Sequence, residues 1–276
     1  MLLAKRVAIR RSALSYQGLD TTMCCWVNAS RPTKPPPTKR VFQRFWRRGT
    51  RANRKFRLWL SRITRPSMLG LFRRTSPLSD DWGWDRGTPV DRYYIESFLE
   101  EYRQDIVGRI LEVKDSGYTR QYGTAVTQSD VLDIDSSNKE ATLIADLSAA
   151  DGLPSMTFDC FILTQTLQYI YDARAAIDNA HRLLRPGGVL LVTVPSASRI
   201  DRNCSGDYWR YTAVSCSRLF AESFGAENTT VKSYGNVLTC VAFLEGMAHE
   251  ELSVQELAKT DEAFPLIIGV RAVKAI

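Results

Sequence analysis

The clearest pattern of apolar and polar residues lies just past the middle of the chain. Residues 158–163 and 189–194 are short, mostly aliphatic and aromatic runs, which are typical of buried parallel strands. Between them, apolar residues recur at helical spacing over residues 173–184, and Asp172 precedes them in the position of a helix cap. Residues 185–188, Arg-Pro-Gly-Gly, are expected to end the helix. The pattern predicts a strand, a helix and a strand with a right-handed crossover, and such units bind ligands beyond the carboxyl ends of their strands.

Five further apolar runs predict the remaining strands of one sheet. They are residues 109–114, 130–135 and 141–145 before the central unit, and residues 229–233 and 265–271 after it. The segments between the first three strands are too short for full helices, with at most one or two turns between Tyr118 and Ala125. Together the runs predict an α/β fold with helices on both faces of a mostly parallel, seven-stranded sheet, trimmed near strands one to three and completed by an antiparallel pair.

Helical spacing predicts the elements that cover this sheet. A helix capped by Thr88 is expected to end at Gly108, just before the first strand. Residues 213–224 form a second helical pattern, which Gly225 closes. Two shorter helical patterns fall within residues 236–259.

Charge divides the chain into two parts. The 276 residues carry a net charge of +7, but residues 1–78 contain 19 Lys or Arg and a single acid, Asp20, a net charge of +18. The remainder has 18 basic and 29 acidic residues, a net charge of −11. We therefore expect a basic, partly disordered or amphipathic N-terminal extension over residues 1–78 and one compact domain over residues 79–276.

Aromatic and aliphatic residues interleave with Lys and Arg in the extension, most clearly over residues 39–78. The pattern is typical of basic amphipathic helices, and three interpretations stay open: attachment to an anionic membrane surface, binding of nucleic-acid phosphates, or a solvated tail that packs a few aromatic residues on the domain. No RNA or DNA recognition motif follows the segment, which argues against nucleic acid. Salt-sensitive binding to anionic vesicles would single out the membrane interpretation.

The six cysteines show no CxxC pair and no zinc-finger spacing, so no metal site is expected. Reduced thiols of this kind are typical of cytosolic proteins. No apolar run approaches the ~18 residues that a membrane-spanning helix needs. The sequence therefore favours a cytoplasmic location, peripheral to a membrane if the extension binds one.

Residues 158–170 and 183–195 resemble the fourth and fifth strands of the class I S-adenosylmethionine (SAM)-dependent methyltransferases, and in particular the methyltransferase type 11 group. The most specific element is the turn Leu-Leu-Arg-Pro-Gly-Gly at residues 183–188. The resemblance implies a Rossmann-like fold, SAM as the cofactor, and transfer of a methyl group to an acceptor substrate.

The resemblance also implies a cofactor site that begins after the first strand. In the family this strand ends in an acid, which Glu112 matches, and a glycine-rich loop then lets the backbone approach the methionine part of SAM. Lys114 and Ser116 stand where glycine is usual, and Gly117 remains. Asp135 matches the acid that accepts hydrogen bonds from the ribose hydroxyls, as in other Rossmann-like sites.

Residues after the third and fourth strands complete the implied cofactor site. Asp146 matches the residue that accepts a hydrogen bond from the adenine amino group. Gln165 and Thr166 follow the fourth strand, where the family contacts the methionyl end of SAM. Family members often have Glu-His where this chain has Gln168 and Tyr169, so no acid-histidine pair is present there.

An acceptor site is predicted in residues 206–212, which contain the stretch Asp-Tyr-Trp-Arg-Tyr-Thr. It resembles the Asp-Tyr-Trp-Arg-Phe-Thr of methyltransferases associated with polysaccharide and glycosyl-transfer pathways. Tyr208 and Trp209 offer flat faces for a sugar ring or an apolar acceptor, Arg210 can hold a phosphate or carboxylate, and Asp207 is the nearest candidate proton acceptor. Alternatively, Trp209 fills the core, Arg210 pairs with a neighbouring acid, and the last threonine caps a helix.

Three functions follow from these patterns. The first is a SAM-dependent methyltransferase that acts on a small-molecule or glycan-linked acceptor. The second is a catalytically inactive methyltransferase fold that serves as a binding or scaffold protein, docked on a membrane or partner through its basic N-terminal arm. The third is a nucleic-acid methyltransferase. Methylation of base amino groups is disfavoured, because residues 164–167 are Thr-Gln-Thr-Leu where such enzymes have an Asn/Asp-Pro-Pro-Tyr/Phe motif.

Overall fold

The computed structural model describes residues 74–204 and 206–276, and a seven-stranded sheet runs through the middle of them. The first five strands along the chain are parallel, and the last strand is antiparallel to both of its neighbours. The order across the sheet is β3-β2-β1-β4-β5-β7-β6. This confirms the predicted α/β fold with a final antiparallel pair. The strands are β1 (Val107–Val113), β2 (Ala125–Asp133), β3 (Leu143–Ile144), β4 (Phe158–Thr164), β5 (Leu184–Pro195), β6 (Thr229–Tyr234) and β7 (Ile267–Val273).

Helices cover both faces of the sheet. They are α1 (Val90–Glu101), α2 (Gly117–Tyr122), α3 (Ala173–Leu183), α4 (Ala213–Phe224), α5 (Val237–Glu245) and α6 (Val254–Ala258). The apolar sides of α3 and α4 pack on one face, and those of α1, α5 and α6 pack on the other. Because the sheet is covered on both sides, its central strands can be apolar throughout, as the sequence predicted.

The central strand β4 shows how the two layers of core arise. Alternate side chains of a strand point to opposite faces of the sheet. Phe161 and Leu163 therefore join the cluster under α3 and α4, whereas Cys160 and Ile162 join the cluster under α1 and α5. All four side chains are fully buried. Burying a large apolar side chain contributes about 1.5–3 kcal/mol, so the two layers are the main source of stability.

Side-chain caps begin α3 and α4 at the expected residues. The Asp172 carboxylate accepts a hydrogen bond from the backbone N–H of Ala175 at 3.0 Å, and the Thr212 hydroxyl accepts one from the N–H of Ser215 at 3.1 Å. These bonds satisfy amides that a helix leaves unpaired at its start. Gly225 follows α4 with a φ of +87°, which explains why the predicted helix closes there.

The helix predicted between Thr88 and Gly108 is shorter than expected. No side chain caps α1, which ends at Glu101, and Gly108 lies within β1. Gly108 has a φ of +75°, and the pairing of β1 with β2 is irregular immediately after it. The glycine that was expected to stop the helix is therefore a bulge glycine, whose missing Cβ leaves room for the Asp159 carboxylate.

The edge strands also differ from the prediction. The strand β2 starts at Ala125 rather than at residue 130, because residues 125–129 pair with β1 although their side chains are exposed and show no apolar alternation. It ends at Asp133 rather than at residue 135, where the chain turns away, and β3 has only two residues. Only the six-residue α2 separates β1 from β2, and the described residues contain no α-helix between β2 and β3, so the predicted trimming is confirmed.

Two further boundaries are corrected. Residues 185–188 were expected to be only a helix stop, but they belong to β5. They form a bulge there, because Leu184 pairs with Phe158 and the next paired residue of β5, Val189, pairs with Cys160. The last strand begins at Ile267 rather than at residue 265.

The basic extension predicted for residues 1–78 lies outside the described residues as far as residue 73, and so does most of the segment 39–78. Its boundary with the domain stays a prediction. None of the described helices is long and apolar enough to cross a bilayer.

Replacing Gly108 with alanine should destabilise the fold by about 2 kcal/mol, because an L-residue at a left-handed φ costs about 1–2 kcal/mol and the new Cβ would meet a side chain. That Cβ would lie 2.3 Å from Oδ2 of Asp159, which accepts hydrogen bonds from the N–H of Arg109 at 2.7 Å and from Arg185 at 3.2 Å. Urea unfolding measures the loss. The matched control is Gly152→Ala, whose Cβ would meet no atom within 4 Å, and equal midpoints for the two variants would contradict this account.

Candidate functional site

A cavity of about 1260 Å³ lies at the carboxyl edge of the parallel strands. Its volume exceeds the roughly 300–1,000 Å³ of most small-molecule sites, so it has room for two ligands side by side. The loops after β1 to β5 and the first turn of α1 line it. Nine of the residues that the sequence predicted for the cofactor and acceptor sites lie on its wall, namely Glu112, Gly117, Asp135, Asp146, Gln165, Thr166, Asp207, Tyr208 and Arg210. Trp209, which was also predicted for the acceptor site, does not line the cavity.

Glu112, near the end of β1, holds the loop that follows the strand. Its carboxylate accepts hydrogen bonds from the N–H of Tyr118 at 3.0 Å and from the N–H and hydroxyl of Thr119 at 2.8 and 2.7 Å. The side chain is 2% exposed, and this burial raises its pKa, while the three hydrogen bonds act in the opposite direction. Both carboxylate oxygens are thus used to fix α2 beside the cavity.

Lys114 occupies the left-handed backbone conformation that glycine usually supplies in this loop. Its φ is +76°, which costs a residue with a Cβ about 1–2 kcal/mol. Hydrogen bonds hold the strained residue on both sides, since its N–H donates to the carbonyl of Leu132 at 2.9 Å and its carbonyl accepts from Nδ2 of Asn138 at 2.6 Å. Gly117 is the first residue of α2 instead, and a Cβ there would lie 2.8 Å from the Asp115 carboxylate.

The acids after β2 and β3 divide into two kinds. Asp133 uses both oxygens to form the turn, accepting from the N–H of Asp135 at 3.0 Å and from Asn138 at 2.7 Å. Asp135 and Asp146 are exposed and use only Oδ1 within the described residues, each to accept from a backbone N–H two residues ahead at 2.8 Å. The bond from Ser137 lowers the pKa of Asp135, so this carboxylate is ionised at neutral pH. Oδ2 of each acid is left for a ligand.

Polar groups without partners lie after β4. Gln165 has a φ of +45°, and its N–H donates to the carbonyl of Thr193 at 2.8 Å. Among the described residues nothing pairs with the buried Nε2 of Gln165 or with the buried Oε1 of Gln168. Buried polar atoms are nearly always hydrogen-bonded. Both atoms lie behind the cavity wall, so a ligand would reach them only if the two side chains turned. The hydroxyl of Thr166 donates to the carbonyl of Thr164 at 2.9 Å.

Asp207 and Arg210 form a two-point ion pair, with N–O distances of 2.5 and 2.8 Å. Arg210 also donates to the carbonyl of Arg199 at 2.5 Å, and Asp207 accepts from the N–H of Asp201 at 2.8 Å. The hydrogen bonds from Arg210 hold the pKa of the Asp207 carboxyl below its usual range, which makes it a weak proton acceptor. The geometry fits a role in positioning the loop better than proton transfer, and contact of either side chain with an acceptor stays a prediction.

Aromatic side chains form an exposed cluster at this end of the cavity, which we call the aromatic cluster (Tyr171, Tyr208 and Trp209). Tyr171 and Tyr208 are 72% and 51% exposed, with ring centroids 5.3 Å apart. Trp209 is 40% exposed, so it does not fill the core, and its indole N–H donates to the carbonyl of Tyr171 at 3.2 Å. The core position is taken by Tyr211, whose hydroxyl donates to the carbonyl of Leu167 at 3.0 Å.

The first turn of α1 adds a wall that sequence reasoning missed. Asp91 and Arg92 line the cavity there, together with Trp84 from the preceding turn. Burial raises the pKa of the Asp91 carboxyl to about 6, and the nearby Arg92 limits the rise. The only signal in the sequence was the start of a helix, which indicates local structure but not what the helix faces.

Comparisons with known proteins agree with this geometry. Residues 108–192 match the family model described as "Methyltransferase domain". That segment runs from β1 to β5 and therefore carries the loops that bear Glu112, Asp135, Asp146 and Gln165. The match supports the resemblance to the class I SAM-dependent methyltransferases, whose fold has the sheet order described above.

Solved structures and curated proteins were compared as well. The chain is similar to a SAM-dependent methyltransferase from Archaeoglobus fulgidus, with 12% identity, 66% of this chain and 94% of that chain covered, and a TM-score of 0.46. It is also similar to a SAM-dependent methyltransferase from Mesorhizobium loti, with 16% identity, 70% of this chain and 100% of that chain covered, and a TM-score of 0.45. A third similar structure is phosphoethanolamine N-methyltransferase 2 of Haemonchus contortus in complex with SAM. Its identity to this chain is 14%, the comparison covers 67% of this chain and 53% of that chain, and the TM-score is 0.47. No curated protein matches the chain.

Asp91→Asn should stabilise the ligand-free protein at neutral pH but not in acid. The folded pKa of about 6 lies above the unfolded value of about 4, so the folded state holds the proton more tightly and ionising Asp91 costs stability as the pH rises from about 4 to 6. We expect the variant to gain up to about 2 kcal/mol near pH 7.5 and nothing near pH 4.

Thermal unfolding of both proteins across this range measures the difference. The matched control is Asp151→Asn, which changes an exposed aspartate outside the cavity. A gain for Asp91→Asn that stays constant with pH would contradict the assignment of a raised pKa.

Proposed function

We propose that this chain is an active SAM-dependent methyltransferase that acts on a small-molecule or glycan-linked acceptor. The observation that carries the proposal is the shared cavity, which joins acids with a free oxygen and the exposed rings of Tyr171 and Tyr208 at one edge of the sheet. Its volume fits a cofactor and an acceptor together.

The residues along the edge fit the parts of the cofactor in order. When bound, SAM supplies an electrophilic methyl group on a positively charged sulfur. The free oxygen of Asp135 would accept hydrogen bonds from the ribose hydroxyls, and that of Asp146 from the adenine amino group. Gln165 and Thr166, which line the cavity after β4, would contact the methionyl end. Glu112 and Gly117 would act through the shape of the loop.

The acceptor would bind against the aromatic cluster. Two exposed tyrosine rings and an indole present flat apolar faces with polar edges, which suits stacking against a sugar ring or another planar acceptor. The ion pair of Asp207 with Arg210 fixes the loop that carries Tyr208 and Trp209. Methyl transfer is accelerated mainly by alignment of the two reactants and by exclusion of water, rather than by covalent catalysis. A rigid acceptor loop would therefore raise the rate by holding the acceptor in line with the methyl group.

Asp135→Ala should weaken SAM binding on the order of tenfold or more, because each charge-assisted hydrogen bond to the ribose is worth about 1.5–3 kcal/mol before water compensates. Calorimetric titration with SAM measures this, and Asp151→Ala is the control at a site outside the cavity. Wild-type protein that gives neither heat nor a thermal shift with SAM would favour the alternative of an inactive scaffold, for which Lys114 in the usual place of glycine is the supporting observation.

Tyr208→Ala should raise the KM for a glycoside acceptor about two- to tenfold while leaving SAM affinity within about threefold, since a stacked ring contributes about 0.5–1.5 kcal/mol. Transfer of labelled methyl groups from SAM to a panel of glycosides measures KM and kcat. Val214→Ala removes an even more exposed side chain on α4, outside the cavity, and should change neither KM nor kcat. If Tyr208→Ala lowers SAM affinity and KM is unaffected, the aromatic cluster does not bind the acceptor.

A further inference from the structure

The outer side of α5 is an apolar surface that the proposed roles above leave unused. Four of its side chains are between 38% and 53% exposed, and we call them the α5 face (Val237, Leu238, Val241 and Leu244). The helix carries no charged side chain before Glu245, its last residue. A helix that is apolar on all sides is normally buried, and a contiguous exposed apolar patch marks an interaction site, whereas scattered single residues do not. The α5 face therefore calls for a partner that covers it.

The basic part of the chain joins the domain beside this face. The backbone N–H groups of Leu78 and Ser79 donate hydrogen bonds to the carbonyl of Glu245, at 2.7 and 3.2 Å. Leu78 is the last residue of the basic extension, so the extension is connected to the domain at the carboxyl end of α5. Residues 1–78 carry 19 basic residues and one acid, a net charge of +18. An apolar surface and a strongly cationic segment thus meet at one end of one helix.

A bilayer that contains anionic lipids offers a matching pair of features. Its headgroups attract basic segments, and its acyl boundary accepts aliphatic side chains that lie in the plane of the surface. The domain itself has a net charge of −11, so an anionic surface would repel it without the extension. Stable anchoring at a membrane surface generally takes two signals, such as an apolar group beside a basic segment. The α5 face and the extension are two such signals.

We propose that the α5 face inserts its aliphatic side chains into the surface of an anionic bilayer, to which the basic extension also binds. The contact has a consequence for the cavity. Phe243, on the buried side of the same helix, lines that cavity. Bound in this way, the cavity would lie about 10 Å, the diameter of a helix, from the bilayer.

The test measures co-sedimentation of the full chain with vesicles made from equal parts of phosphatidylcholine and phosphatidylserine. The double variant Val241→Gln/Leu244→Gln should bind about tenfold more weakly than wild type, because glutamine preserves the helix but removes apolar surface. The matched control is Val126→Gln/Val214→Gln, which changes two exposed valines on β2 and α4. These lie on the opposite side of the sheet order from β6 and on the other face of the sheet, respectively, so this variant should bind as wild type.

Hydrogen exchange locates the contact. Vesicles should slow amide exchange in α5 of the wild-type protein more than in α4, and this difference should disappear in the double variant. Equal thermal midpoints of the double variant and wild type would show that the domain is folded. If the double variant unfolds, Leu244→Gln alone decides the case, with an expected loss of vesicle affinity of about threefold.

Three results would overturn the proposal. The first is wild-type protein that does not bind these vesicles. The second is a folded α5 variant that binds them as tightly as wild type. The third is a wild-type dimer in sedimentation that the α5 substitutions dissociate without weakening vesicle binding, since the α5 face would then join two copies of the chain.

Discussion

Carboxylates that accept backbone N–H groups hold the loops at the carboxyl edge of the sheet, and the shape of the cavity depends on them. A loop that leaves a parallel strand carries amides without strand partners, and leaving one buried and unpaired costs about 1–3 kcal/mol. Glu112 takes two such amides after β1, Asp133 takes one after β2, and Asp146 takes one after β3. After β5, Asp207 takes the amide of Asp201. The walls of the site are therefore built by side chains of the same type that a ligand would contact.

This shared chemistry separates two roles that look alike in a sequence. Glu112, Asp133 and Asp207 have both oxygens engaged within the protein, so they shape the site. Asp135 and Asp146 have one oxygen engaged and one left over, so they can both shape the site and bind. An acid at the end of a strand is visible in the sequence, whereas the number of its oxygens already in use depends on the exact path of the next few residues.

Most of the fold could be predicted because burial leaves a periodic signal. The strands β4 and β5 and the helices α3 and α4 were located by their apolar pattern, and the nine predicted site residues share a cavity because parallel strands bring their ends to one edge. The prediction was wrong where this signal is absent. Residues 125–129 are exposed yet paired, and Gly108 is a bulge glycine rather than a helix stop. The wall formed by Asp91 and Arg92 was missed since it depends on how α1 packs, which no local pattern encodes.

The brevity of β3 has a consequence for how the site behaves in time. Only two residue pairs, Leu132 with Leu143 and Asp133 with Ile144, join this strand to the sheet, and it lies at the open edge. Segments with so few protected hydrogen bonds open locally at a small fraction of the free energy of global unfolding. The two acids on either side of this strand, Asp135 and Asp146, therefore lie on a part of the sheet that opens more readily than its central strands. A ligand that contacted both acids would stabilise this edge of the sheet. It would therefore slow amide hydrogen exchange in β3 more than in the buried central strands.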